Sequence, residues 1–166
     1  MNYQEWAQRV PPEIKGDSVW KSEVYRLALF AADLGWSDAT KLLGDKRTIS
    51  LADQLYRAVG AVSGDVEEGY SRGTRRDRAR FYEYALGSGR EARGWYFKGR
   101  HVLGKAVADH RMRLFTQIIK LLLTMVPDQR GQLLREESPP YESAFDSLAI
   151  EPVENPSEIL EIVPMP

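Results

Sequence analysis

Residues 65–80, DVEEGYSRGTRRDRAR, gather the side chains in this sequence best suited to chemistry. Asp65, Glu67 and Glu68 supply carboxylates, and Asp65 and Glu68 are three apart, which puts them on one face of a helix. Such a pair could hold a metal or act as a general base. Hard cations usually recruit more oxygens than one short pair offers. These acids also fall at the C-terminal end of a predicted helix, where the dipole disfavours anions, and Arg72, Arg75 and Arg76 follow directly. A salt-linked corner accounts for them better than a metal site. In that corner Gly69 takes a left-handed conformation, Glu68 orders the turn and Tyr70 packs back on the body of the protein.

Five arginines, Arg72, Arg75, Arg76, Arg78 and Arg80, lie within nine residues, and Arg90, Arg93, Lys98 and Arg100 continue the series. Guanidinium forks match phosphate bidentately and stack on bases. Only Asp77, Glu83 and Glu91 oppose them between 72 and 100, while Tyr82, Tyr84, Trp95, Tyr96 and Phe97 are interleaved. A solvated helix face paired with neighbouring acids is the plain alternative. The scarcity of local acids favours a surface that binds nucleic acid through Arg72, Arg75, Arg76, Arg78, Arg80, Arg90, Arg93 and Arg100.

Other chemistry is poorly represented. His101 and His110 are the only histidines, there is no cysteine, and no nucleophile elbow, Walker loop or dinucleotide fingerprint occurs. The run GSGREARG at 87–94 falls inside a predicted helix and reads as a packing segment. No catalytic residue, metal, cofactor or small-molecule substrate is expected. The absence of cysteine and of a signal-like start points to the cytoplasm, and Ile118–Val126, the longest apolar run, is too short to span a bilayer.

The elements that must position these groups are helices. No period-two run is long enough to be a strand. Residues 1–16 read as a lead-in. Asp17 or Ser18 caps a first helix with the stripe Trp20, Val24, Leu27, Ala31 and Leu34, punctuated by Gly35 and Gly44. Ser50–Asp53 resembles a capping box opening a second helix, with Leu51, Leu55, Ala58, Val59, Val62 and Val66 on one face. Gly60 and Gly64 inside it call for a closely packed neighbour. Thr74–Asp77 is a second capping box, and the third helix carries Phe81, Ala85, Ser88, Ala92, Trp95, Gly99 and Val102 to a stop at Gly104. A fourth begins near Val107–Asp109, carries Met112, Phe115, Ile118, Ile119, Leu122 and Met125, and ends at Pro127. Connections near 36–49, 69–74 and 104–107 make an all-α fold, an antiparallel up-down four-helix bundle over 17–135.

Residues 136–166 differ in kind. They hold eight acids, no Lys or Arg, and six of the nine prolines; the first 135 residues carry all 23 basic residues against 16 acids, a net of +7. This acidic tail is expected to be disordered or extended. Its Tyr141, Phe145, Leu148, Ile159 and Leu160 are candidates for docking on a partner protein or a neighbouring subunit.

The segments Leu55-Tyr56-Arg57-Ala58, Val66-Glu67-Glu68-Gly69-Tyr70-Ser71-Arg72, Phe81 and Ala85-Leu86-Gly87-Ser88, with Glu91, resemble the four-helix bundle family of 23S rRNA intervening-sequence proteins. The resemblance covers about residues 17–130. It implies a ring, typically a homopentamer, and kinship with basic accessory proteins of diversity-generating retroelements, which bind a reverse transcriptase and nucleic acid. Glu68, Gly69 and Tyr70 match the family's turn. Asp65 and Glu67 stand where the family has asparagine and alanine, and Gly89 where it prefers a large apolar residue.

Overall fold

The computed structural model describes residues 2–130 and 156–166, and within them the chain is helical, with no strand. The elements are α1 (Tyr3–Arg9), α2 (Pro12–Lys15), a 3-10 turn (Ser18–Lys21), α3 (Glu23–Leu43), α4 (Ile49–Tyr70), α5 (Arg75–Leu103), α6 (Lys105–Arg130) and α7 (Pro156–Glu161). The four long helices α3–α6 pack in sequence, each against the next, with a lighter closing contact between α3 and α6. One core holds Tyr25, Phe30, Leu55, Tyr96, Phe115 and Leu122, all buried. Burying a side chain of this size contributes roughly 1.5–3 kcal/mol.

The apolar stripes predicted for the first, second and fourth long helices face this core. Leu27, Ala31 and Leu34 are buried on α3, Leu55, Val59, Val62 and Val66 on α4, and Phe115, Ile118, Ile119 and Leu122 on α6. The stripe on α5 keeps Ala85, Ala92 and Gly99 as expected, while its other four positions each move on by one residue. Its buried positions are Tyr82, Ala85, Gly89, Ala92, Tyr96, Gly99 and Leu103, while Phe81, Ser88, Trp95 and Val102 lie at the margin. Two tyrosines fill the core here, and the small residues between them let α4 and α6 close in.

Helix ends differ from expectation for local reasons. Helix α3 continues through Gly35 to Leu43, and the glycine there serves packing: Gly35 sits under Val59 of α4, where an added Cβ would stand 3.2 Å from Val59 Cγ1. The link to α4 is therefore residues 44–48. There Asp45 accepts from the Arg47 amide and guanidinium, and Thr48 Oγ1 donates to the Leu42 carbonyl at 2.6 Å. Helix α4 starts at Ile49, so Ser50 lies inside it and caps nothing. The Thr74 cap holds as read: its hydroxyl accepts from the Asp77 amide at 3.1 Å. Pro127 lies within α6 instead of ending it.

The lead-in is structured. Asn2 and Glu5 form a reciprocal capping box on α1, and Lys15 donates to the Ala7 and Gln8 carbonyls, folding α2 back on α1. Trp6 is buried with its ring 5.1 Å from Phe30, so α1 seals one end of the core. Of the tail, residues 156–166 carry a short helix, α7, packed on α1 and α6, which corrects the disordered or extended reading for that part. Tyr141, Phe145 and Leu148 lie outside the described residues.

Candidate functional site

The corner between α4 and α5 separates the three acids that the sequence placed together. Asp65 faces Ser88 of α5 at a long 3.5 Å, and burial raises its carboxyl above the ordinary carboxylate range. Glu67 accepts a 2.5 Å hydrogen bond from Tyr25 of α3, and burial together with that bond pushes the Tyr25 hydroxyl well up. Glu68 pairs with Arg72 one turn on. Among the described residues no group of three or more acids and histidines is placed to hold a metal ion.

Gly69 is not left-handed. It is the penultimate residue of α4 in helical conformation, and among the described residues the one positive-φ glycine is Gly104. The reason for glycine at 69 is contact: an added Cβ would stand 2.8 Å from Tyr82 Cε1 and 3.0 Å from Phe81 Cβ. The corner needs a missing side chain there so that α5 can turn back closely. Tyr70 does not pack back; it is exposed, with the Arg78 guanidinium 6.0 Å above its ring.

The eight expected arginines fall into four groups. Arg72 and Arg78 are half-buried in the corner: Arg72 stacks 4.5 Å over Phe81, and Arg78 donates to the Arg72 carbonyl. Arg93 bonds Thr116 of α6. Arg80 donates to the Tyr84 hydroxyl at 2.7 Å, and Arg100 lies 4.0 Å over Phe97, so each cation rides on its own aromatic ring. Lys98 does the same over Trp95 at 3.9 Å. Arg75, Arg76 and Arg90 are exposed, and among the described residues their side chains make no hydrogen bond, ion pair or ring contact. Arg76, Arg80, Arg90 and Lys98 recur along the outer face of α5, spread over roughly 33 Å at 1.5 Å per residue.

Gly60, Gly64, Gly87 and Gly94 are exposed on α4 and α5, and an added Cβ at any of them would meet nothing within 4 Å. The neighbour expected over Gly60 and Gly64 is therefore not supplied by this chain's own described helices.

A second polar centre escaped the sequence reading. Asp38 of α3 and Arg111 of α6 form a fully buried ion pair, Nε to Oδ2 at 2.7 Å and Nη2 to Oδ1 at 3.2 Å. Tyr96 donates to Asp38 Oδ2 at 2.9 Å, and burial next to that carboxylate holds the phenol well above its usual range. Arg111 Nη1 donates to His110 Nδ1 at 2.8 Å, which fixes the ring proton on Nε2, and Nε2 donates to the Ile159 carbonyl at 2.7 Å. Burial and the neighbouring guanidinium lower His110 to about 4. Arg111 Nη2 also donates to the Pro164 carbonyl at 3.0 Å. Asp38 and Arg111 are 73 residues apart, each a lone charge in an apolar stripe. That incongruity was the one signal available.

The model of the 23S rRNA-intervening sequence protein family matches residues 21–124, nearly two thirds of the chain. The chain belongs to this family. A solved structure described as a protein with unknown function from the S23 ribosomal protein family of Bacteroides thetaiotaomicron is also similar, at 17% identity and a TM-score of 0.59. The match covers 62% of this chain and 97% of that one, and it bears on fold alone. A search of curated proteins finds no match. In this family member the two acidic departures at the corner each have a partner, Ser88 for Asp65 and Tyr25 for Glu67. Gly89 faces Ile119, where an added Cβ would make ordinary contact at 3.5 Å. No helix among the described residues is long and apolar enough to cross a membrane. Ile159 and Leu160, expected to meet a partner or a second subunit, lie on their own chain's core.

Proposed function

We propose that this chain acts without catalysis, as an antiparallel up-down four-helix bundle that assembles into a ring in the cytoplasm and binds nucleic acid, or a protein that processes it, through the outer face of α5. The observation that supports the reading is that Arg75, Arg76 and Arg90 are exposed and that their side chains are unpaired among the described residues. Arginines that the fold does not use are available to phosphate, and they sit beside three cation-on-aromatic pairs, Arg80–Tyr84, Lys98–Trp95 and Arg100–Phe97. Such pairs offer flat faces for base stacking next to charge. The ring rests on the family resemblance, and the bare glycines on α4 and α5 suit close approach by a second copy.

The test is a fluorescence anisotropy titration of the full chain with a labelled RNA and a labelled DNA across a salt series. Each phosphate contact adds about 0.7–0.9 to the log–log salt slope. The triple variant Arg75→Glu, Arg76→Glu, Arg90→Glu is expected to lower affinity at least tenfold and flatten the slope. Absence of binding at low salt, or an unchanged titration in the variant, overturns the reading. Light scattering reports the assembly separately.

A further inference from the structure

The C-terminal residues are held in a manner unlike the rest of the chain. Helix α7 has six residues, too few to be stable alone. It is fixed by the Ile159 side chain, which is buried in the core, by partial burial of Leu160 and Val163, and by two main-chain carbonyls. Those carbonyls, of Ile159 and Pro164, are taken by His110 and Arg111, side chains already buried and already oriented by Asp38 and Tyr96. Beyond them Met165 and Pro166 lie along a cleft lined by Trp36, Ser37, Thr40 and Lys41. One apolar socket plus fixed donors aimed at backbone oxygens is how a protein reads a peptide.

We propose that the groove between α1, α3 and α6 is a peptide-docking site, that Pro156–Pro166 is its resident ligand, and that the same segment of a second copy can take its place. Two observations support exchange. The recognition is carried by side chains of the body that a second copy presents equally: the adjacent pair His110–Arg111 holds the Ile159 and Pro164 carbonyls. The connecting chain does not force the segment onto its own bundle. Positions 110 and 130 are about 30 Å apart along α6, and the 25 residues between Arg130 and Pro156 reach at most about 80–90 Å when fully extended. That reach includes a neighbouring copy. The ligand class is a short Ile/Leu-bearing helical turn followed by an extended Val-Pro step, with free carbonyls at the positions of Ile159 and Pro164.

The probe is a fluorescein-labelled peptide of residues 156–166, titrated by polarisation into the full chain and into full-chain Ile159→Asp, whose own segment is dislodged. The variant is expected to bind the peptide at least tenfold more tightly than the parent, where the resident segment competes at high effective concentration. A peptide carrying Ile159→Asp, and a scrambled one, are expected to bind neither. A variant that keeps its helical circular dichroism yet ignores the peptide overturns the proposal, as does equal binding of the scrambled peptide. A second version needs no core variant: a protease site inserted within 136–150 of the full chain is cut under native conditions. The released segment is expected to co-elute with the bundle in gel filtration and to be replaced by labelled peptide. A cut segment that is not replaced overturns exchange.

Discussion

Arg111, inside the helical core, divides its guanidinium among Asp38, His110 and Pro164, whereas the exposed side chains of Arg75, Arg76 and Arg90 on α5 make no hydrogen bond, ion pair or ring contact among the described residues. The same side chain thus meets opposite physics in two regions. A buried ion pair recovers little net stability, because desolvation offsets the attraction, yet losing one partner strands a charge in the core. An exposed arginine is nearly neutral to stability in either state. The first kind is explained by the fold, while the second is left for a partner to explain.

The contrast can be broken most directly at Arg111→Met. That change leaves Asp38 buried and uncompensated and is expected to cost about 3–5 kcal/mol in urea denaturation. The double variant Asp38→Leu, Arg111→Met is expected to recover much of it. A single variant costing under about 1 kcal/mol would remove the distinction between the two regions.

Next in size is the pH response of the same cluster. Unfolded His110 takes up a proton near pH 6.5 and the folded ring only near 4, so acidification across that window favours unfolding. Burial and the facing Arg111 and Arg113 set the shift, and the Ile159 carbonyl opposes it. The loss of stability between pH 7 and 4 is expected to reach roughly 3 kcal/mol at most. His110→Gln, compared with the parent at both ends of that range, is expected to lack this component; an identical pH slope would refute the assignment.

Glycines repeat the inside–outside contrast on a smaller scale. Gly69→Ala drives a methyl into Tyr82 and is expected to cost about 1–3 kcal/mol. Gly60→Ala, over open space, is expected to stabilise the isolated chain by up to about 1 kcal/mol. If Gly60→Ala instead lowers the apparent mass in light scattering, a second copy packs on that face. The smallest effect belongs to Arg75→Ala with Arg76→Ala, expected to stay within about 0.5 kcal/mol of the parent in stability while weakening nucleic-acid binding.

What could be read from the sequence followed the strength of the local pattern. The stripes of α3, α4 and α6 and the Thr74 cap repeat a short-range signal many times, and they stand. Four positions of the α5 stripe slipped by one residue while Ala85, Ala92 and Gly99 held, because Tyr82 and Tyr96 look polar by composition while Phe81 and Trp95 look apolar, and GSG at 87–89 gives little side chain to fix the phase. Gly69 was read as a turn residue since glycine after a helix usually is one; only the position of Tyr82, set by tertiary packing, reveals the other cause. Asp38–Arg111 depends on two helices 73 residues apart in sequence, and no local rule pairs them. The exposed arginines were legible as a group. Which of them the fold occupies was not, because Arg72, Arg78 and Arg93 find their partners across corners and neighbouring helices.

Gly104 has one more consequence. It is the only residue between α5 and α6, the two longest helices, and it turns the chain with a positive φ of 88°. The entropy of closing a loop grows with its length, so this pair meets at the smallest closure cost of any long-helix pair in the molecule. Short-range pairing also forms quickly, in microseconds to milliseconds for helical hairpins and bundles. The α5–α6 hairpin can therefore form early in folding and serve as the template onto which α3 and α4 close. On a ribosome making the chain from its N-terminus, α3 and α4 emerge before that hairpin is complete.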